Sequence, residues 1–408
     1  MPSCKVSKKH KEEEKMRFGR LSLVAVIAAT LSQGLFAADT LADAFKNGKV
    51  NGNLKAYYFN RNNNNTPANI TSLGLNLNFI TDKYKGFTVG ITAQAVDTPN
   101  INTAGKTAFN DDMYGSGAIL SEAYLKYQNS GAYIKAGRQY IDSPLVANDD
   151  SRIAKDAFEA YVIGYEGIKD TTLMAAYITK FQDRTDKSGG IDSFNSIGNG
   201  AWTIFASTTL NNLTLSGAYL KVNQDNGNQE AAYLEGLYST KLNTVDFTFN
   251  AQYFYGKDNS DTTGGNDGKT YALEISGSLD KLSGYVAYSK NSSDKATFAG
   301  IGTGSGPLYT AAPIAEANFD AGYRVVAINV EYTLSEALNA YLFYSNNNHN
   351  AQDTASLSTY DIYGAGADYS FGGMFRGLDA IVQYEVKDFS FAGLPNDKEF
   401  RLKAKYSF

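Results

Sequence analysis

The sequence predicts an all-β chain, a transmembrane antiparallel β-barrel of eighteen strands, and three observations carry that expectation. Segments of about ten residues alternate apolar and polar side chains along most of the chain, the mark of strands with two different faces. The connections between those segments alternate long and short, as in a barrel whose two ends face different compartments. An export signal precedes a chain that carries one cysteine, so disulfides are not what stabilises it.

The N-terminal stretch reads as a targeting device. Arg17 and Arg20 precede the apolar run Leu21–Leu31, and small residues follow at Ala37 and Ala38. A run this short does not cross a bilayer core of about 30 Å as a helix, so it is expected to be a cleaved signal peptide. Residues 1–37 are therefore read as a signal peptide with a hydrophilic N-terminal extension, with Met16 as an alternative start, and residues 38–408 as the barrel domain. Removing the leader takes seven basic and three acidic residues, leaving 30 against 39 and a net charge of −9. An acidic chain is a poor nucleic-acid partner. Cys4 leaves with the leader and His349 is the one histidine that remains, which excludes zinc and cysteine chemistry.

Eighteen strands are expected near residues 49–59, 69–80, 86–96, 119–128, 131–140, 157–166, 171–181, 201–209, 212–221, 231–239, 244–255, 270–278, 282–290, 324–333, 338–346, 359–370, 378–387 and 398–408. The last is the clearest: Phe400, Leu402, Ala404, Tyr406 and Phe408 make one face, and Arg401, Lys403, Lys405 and Ser407 the other. The connections at 60–68, 97–118 and 142–156 are long, whereas those at 81–85, 129–130 and 167–170 are short, and the order persists to the C-terminus. A soluble sandwich would scatter its loop lengths over both ends, and a propeller would repeat blade by blade. In water the apolar faces would be an exposed sticky surface, whereas lipid requires them and closure satisfies the backbone. Tyr58, Tyr127, Tyr177, Tyr238, Tyr332, Tyr344 and Tyr406 fall towards strand ends, where an amphipathic ring suits the headgroup boundary.

The start Ala38–Val50, the block Gly137-Arg138-Gln139-Tyr140-Ile141-Asp142-Ser143-Pro144-Leu145 running into Asp149-Asp150-Ser151-Arg152, and the terminal Tyr406-Ser407-Phe408 resemble the OprD-like outer-membrane porins, particularly the epsilonproteobacterial major porins. The resemblance spans the mature chain. It implies an eighteen-stranded channel for passive diffusion of small hydrophilic solutes and ions in a Gram-negative outer membrane. It also implies that the connection after the Gly-Arg-Gln strand folds inward to narrow the pore, which assigns Asp149, Asp150 and Arg152 to a constriction loop.

Selectivity in such a passage comes from charged side chains at close quarters. Lys55 on the first strand and Arg401, Lys403 and Lys405 on the last become neighbours on closure and are expected to form one basic wall. The plain alternative is that lumen positions face water and so carry polar residues. Lys135 and Arg138 are further pore-lining candidates, although strict alternation sets Arg138 with Ile134 and Ala136, so that a bulge or the strand end must intervene if it faces the pore. The run Gly300–Gly306 lacks the Lys-Ser/Thr of a phosphate cradle and reads as a flexible outer loop. Asp258, Asp261 and Asp267 match no calcium loop, and a lone histidine at a loop tip is a poor catalytic base.

No enzyme, cofactor or metal is expected. The partners are small solutes and ions, the lipid bilayer with its lipopolysaccharide, and the barrel assembly machinery through the final strand ending in Phe408. Cation or anion preference, and whether barrels form a homo-oligomer, stay open. The alternative from another class is a structural or adhesive barrel with a blocked lumen.

Overall fold

The computed structural model describes residues 38–408 apart from 64–65, 110–112, 260–265, 316, 350–358 and 390–394. The expected signal peptide, residues 1–37, lies outside the described residues. A short helix α1 (Leu41–Lys46) opens the chain, with the Thr40 hydroxyl accepting from the Asp43 N–H, and a second, α2 (Thr103–Ala108), is capped in the same way by Asn102.

Eighteen strands follow α1. The first half comprises β1 (Lys49–Asn63), β2 (Thr66–Ile80), β3 (Phe87–Ile101), β4 (Gly117–Asn129), β5 (Ala132–Gln139), β6 (Ala157–Tyr165), β7 (Thr171–Gln182), β8 (Asn195–Leu210) and β9 (Leu213–Val222). The second comprises β10 (Gln229–Leu242), β11 (Val245–Asp258), β12 (Asn266–Leu279), β13 (Leu282–Asn291), β14 (Tyr323–Ser335), β15 (Leu338–His349), β16 (Tyr360–Ser370), β17 (Leu378–Asp388) and β18 (Asp397–Ser407). Each strand pairs antiparallel with its sequence neighbours, and β1 with β18 closes the ring from Asn53↔Ser407 to Asn63↔Asp397. All eighteen expected strands are present. They run further at the long-connection end than expected: β1 and β2 zip together until only residues 64–65 join them, where a loop over 60–68 was expected. Polar residues such as Asn60 and Asn62 hid this extension, since a strand that has left the lipid no longer needs an apolar face.

The short end is made of tight turns. Lys85-Gly86 and Ser130-Gly131 both take positive φ, and Asp170, Asn211, Asn243 and Asp280 supply a left-handed residue to four more. Such turns match the twist of the strands they join, which fixes the register of each hairpin. Outward positions carry Leu73, Leu75, Leu77, Ile163, Leu273, Ile275 and Leu342, all exposed, and the seven tyrosines expected near strand ends are exposed as well. The packed core lies inside the ring. There Leu145, Val146, Leu308 and Tyr309 from two long connections meet inward-facing Phe158, Ile178, Leu220, Tyr233 and Phe254.

Candidate functional site

The inward face where the ring closes is a ladder of cations. Alternation turns Lys55, Tyr57, Phe59 and Arg61 of β1 inward, and closure sets Lys405 opposite Lys55, Lys403 opposite Tyr57, Arg401 opposite Phe59 and Glu399 opposite Arg61. Like charges facing each other across a ladder repel, so anions are needed between them. Asp150 supplies one, with its carboxylate 2.5 Å from Lys55 Nζ and 2.9 Å from Lys405 Nζ. Glu399 supplies another, accepting from Arg401 Nε at 2.5 Å and Arg61 Nε at 2.9 Å. Lys403 lies between the two pairs, and among the described residues no carboxylate is in ion-pair reach of it; it is 5.7 Å from the Tyr57 ring centroid and 5.8 Å from that of Phe59.

The 140–156 connection lies over this ladder. Lys55, 2% exposed, also donates to the carbonyls of Arg152 and Ile153, so its ammonium holds the connection by backbone and side chain together. The Gln94 amide of β3 brackets Lys155, donating to its carbonyl at 2.6 Å and accepting from its N–H at 3.0 Å. Asp149 accepts from Arg184 Nη2 at 2.6 Å and from the Ser151 N–H, and Arg152 is buried against the wall. Burial alone raises the Asp150 carboxyl, but Lys55, Lys405 and Lys155 outweigh it and hold the group well below the usual carboxylate range. For Asp149 burial is likewise outweighed, by Arg184 and Ser151, so that its carboxyl is lowered. Asp156 goes the other way: burial raises it beyond what Arg184 and two backbone N–H donors offset. Asp149, Asp150 and Arg152 thus sit together with Lys55, Lys403 and Lys405.

A second connection, 292–322, folds inward as well, which the sequence reading missed. Val146 and Ile301 form a parallel bridge, and Gly304 and Gly306 donate to Ala147 and Pro144 carbonyls. Asp156 clasps the two connections by accepting from the N–H of both Asp149 and Thr303. Gly302 has φ +85°, and any Cβ there would overlap the Ala147 carbonyl oxygen, so the glycines expected in a loose outer loop are there for backbone-to-backbone packing. The far end of this connection is held by two different walls: Tyr309 Oη donates to Glu235 of β10 at 2.6 Å, and Glu385 of β17, beside the seam, accepts from the N–H groups of Ile314 and Ala315. The signal was legible in retrospect, as four glycines at alternate positions suit an extended strip against another backbone.

Lys135 faces inward, 3.6 Å from Glu122 and 3.8 Å above the Tyr124 ring. Arg138 does not join it and is corrected here as a pore-lining candidate. Its partners Ala123 and Glu159 lie on the outward faces of β4 and β6, and Gly137 absorbs the irregular backbone at φ +120° without turning the next residue inward. Arg138 lies 3.9 Å from Glu159 and over the Phe194 ring at the outer rim. The wall away from the ladder is acidic, with Glu235, Glu274 and Glu331 on inward positions of β10, β12 and β14; β10 lies nine strands from β1 either way round the ring, and β14 lies nine strands from the Lys135 strand β5. Among the described residues no group of three or more His, Cys, Asp or Glu side chains could hold a metal ion.

A closed barrel with an apolar outer face, inward-folded connections and walls of opposite charge defines a membrane channel protein. The sequence profile of the outer membrane porins of the OprD family matches residues 42–335, and the chain belongs to that family. It is an outer-membrane porin, a channel for small solutes. Among solved structures it is similar to Pseudomonas aeruginosa OccK8 (OprE), with a TM-score of 0.75 at 15% identity over 90% of this chain and 99% of that one. P. aeruginosa OpdK with vanillate gives 0.76 at 15% identity over 89% and 99%, and P. aeruginosa OpdQ gives 0.74 at 17% over 90% and 99%. No curated protein matches in sequence.

Proposed function

We propose that the solute path runs between the basic side of the lumen and the acidic wall facing it, narrowed by the 140–156 connection. The observation that carries this reading is the opposition of charge: Lys55, Lys405, Lys403, Lys155 and Lys135 on one side, Glu235, Glu274 and Glu331 on the other. Fixed charges of opposite sign across a narrow passage make a transverse field, which turns a dipolar solute with its anionic end to the lysines and favours small zwitterions and monocarboxylates. Asp150 and Asp149 keep that side from trapping an anion, since weak binding is needed for release. Passage is passive and calls for no catalytic group or cofactor. Residues 1–37 serve as the removed export signal, and the strand ending in Phe408 is the segment the barrel assembly machinery engages.

The test is single-channel recording in a planar bilayer with a salt gradient, using vanillate and glycine as carboxylate and zwitterion probes. Lys405→Gln should move the reversal potential towards cation preference and Glu274→Gln towards anion preference. Two unchanged reversal potentials would show that the path does not run between these walls. Silence from a folded, inserted protein would overturn the open channel and favour the adhesive barrel.

A further inference from the structure

On the outward face, where lipid should leave no charge uncompensated, the upper rim of β12–β14 carries three cations side by side. Lys269, Lys290 and Arg324 continue the lipid-facing rows of Tyr271, Val286 and Val326. Lys290 and Arg324 are direct cross-strand partners, Tyr271 pairs with Lys290, and Asn348 stands on the other side of Arg324. Side chains so paired have their Cβ atoms ~5 Å apart, and like charges in that arrangement destabilise a sheet. Among the described residues no carboxylate lies within ion-pair distance of any of the three. The rim elsewhere treats its outward cations differently: Lys180 and Arg138 share Glu159, and Lys221 pairs with Glu230. The acid nearest in register, Asp267, faces Lys257 instead.

We propose that Lys269, Lys290 and Arg324 form a binding site for the phosphorylated headgroup of an outer-leaflet glycolipid, the diphosphoryl lipid A portion of lipopolysaccharide. The inference rests on the porin reading, because that reading puts the long-connection end of the barrel at the outer leaflet. Arginine and lysine differ usefully here: the guanidinium grips a phosphate through two parallel N–H bonds, and the ammonium groups add point charge on either side. Tyr288 and Val326, the direct pair one step below Lys290 and Arg324, would lie along the acyl chains, so the cations sit at headgroup depth. An anion between Lys290 and Arg324 converts their repulsion into a shared contact, which explains why the sheet tolerates the pair.

The full mature protein, purified in detergent and stripped of lipid, would be titrated with diphosphoryl lipid A, with dephosphorylated lipid A and with inorganic phosphate. Bound lipid is read by native mass spectrometry and barrel unfolding by heat-modifiability. Wild type should bind the diphosphoryl form at least tenfold more tightly than the dephosphorylated form, and Lys290→Gln with Arg324→Gln should abolish the difference while single-channel conductance stays unchanged. Without lipid A, Arg324→Gln alone should unfold at a higher temperature than wild type, and with it the order should reverse. Equal binding of the two lipid forms by wild type would overturn the proposal without need of a variant. Displacement of lipid A by millimolar phosphate would assign the site to a free anion, and a change of oligomeric state in the variants with lipid binding intact would assign the surface to a second copy. Loss of conductance in the wild type would count against the porin reading and not against this site.

Discussion

Two of the connections that fold into the lumen are held by different physics. The 140–156 connection is tied to the closing seam by charge: Asp150 between Lys55 and Lys405, Asp149 on Arg184, and carbonyls on a buried ammonium. The 292–322 connection is held mainly by neutral backbone bonds and close glycine packing, and charge enters where Asp156 accepts from the Thr303 N–H, Glu235 from the Tyr309 hydroxyl and Glu385 from two N–H groups. The first arrangement fixes charged groups in place at the edge of the passage, and the second fills space through backbone contact. A narrow channel needs both, because field and bore are set separately.

Removing the anion from the first arrangement should have the largest effect. Asp150→Ala leaves the Lys55 side chain, wholly inaccessible, without a counter-charge and frees Lys405 from its partner. Breaking a buried pair in this way costs about 3 kcal/mol, so the denaturant midpoint should fall and larger, noisier conductance steps should appear as the connection leaves the seam. Unchanged conductance would mean the connection is held by its backbone contacts alone.

The second arrangement should break through shape instead. Gly302→Val puts a branched side chain at φ +85° against the Ala147 carbonyl and should cost about 2 kcal/mol. The expected readout is a protease-sensitive site within 292–322 at unchanged ion preference, which separates loss of bore from loss of field. Glu385→Ala, which strands the Ile314 and Ala315 N–H groups, should act in the same direction by about 1 kcal/mol.

Acid offers a finer separation. The lowered Asp150 carboxyl contributes stability that is present above the ordinary carboxylate value of about 4 and lost only as pH falls through its depressed folded value. The seam should therefore keep its grip at pH 4, with the 140–156 connection as resistant to protease as at pH 7. Asp156 has the opposite sign, since a raised carboxyl contributes below its ordinary value and loses that contribution as pH rises through the folded value. Asp156→Asn should accordingly flatten the stability profile just above pH 4. Protease cleavage within 140–156 at pH 4 but not at pH 7 in wild type would show that Asp150 is not the anchor.

Legibility in the sequence follows the same division. The strands were readable because the lipid enforces period-two alternation at every turn of the barrel, and β18 displays it from Phe400 to Phe408. The seam was readable because closure of an even barrel dictates that the first and last strands meet, which brings Lys55 to Lys405 with no knowledge of the loops. The 292–322 connection was not, because its partners are backbone groups, and a glycine that admits a neighbouring chain has the same one-letter code as a glycine in a loose loop. Glu235 and Glu274 were passed over for a related reason, as single acids on separate strands become a wall only when hairpin register sets β10 and β12 on either side of β11 with both acids inward.

The smallest expected effect tests where the charged side of the comparison ends. Lys135 and Arg138 are three residues apart on β5, yet one faces Glu122 across the lumen surface and the other meets Glu159 outside. A charge within a Debye length of the path, about 10 Å at 0.1 M salt, shifts ion preference, whereas one behind the sheet at the wet outer rim is screened. Lys135→Gln should therefore move the reversal potential slightly towards cations, and Arg138→Gln should leave it where it was. Both changes remove one positive charge from the same strand, so a difference between them reports facing alone. Equal shifts would mean that the net charge of the barrel mouth, and not the inward row of lysines, sets the preference, and the basic side would then end at Lys55 and Lys405.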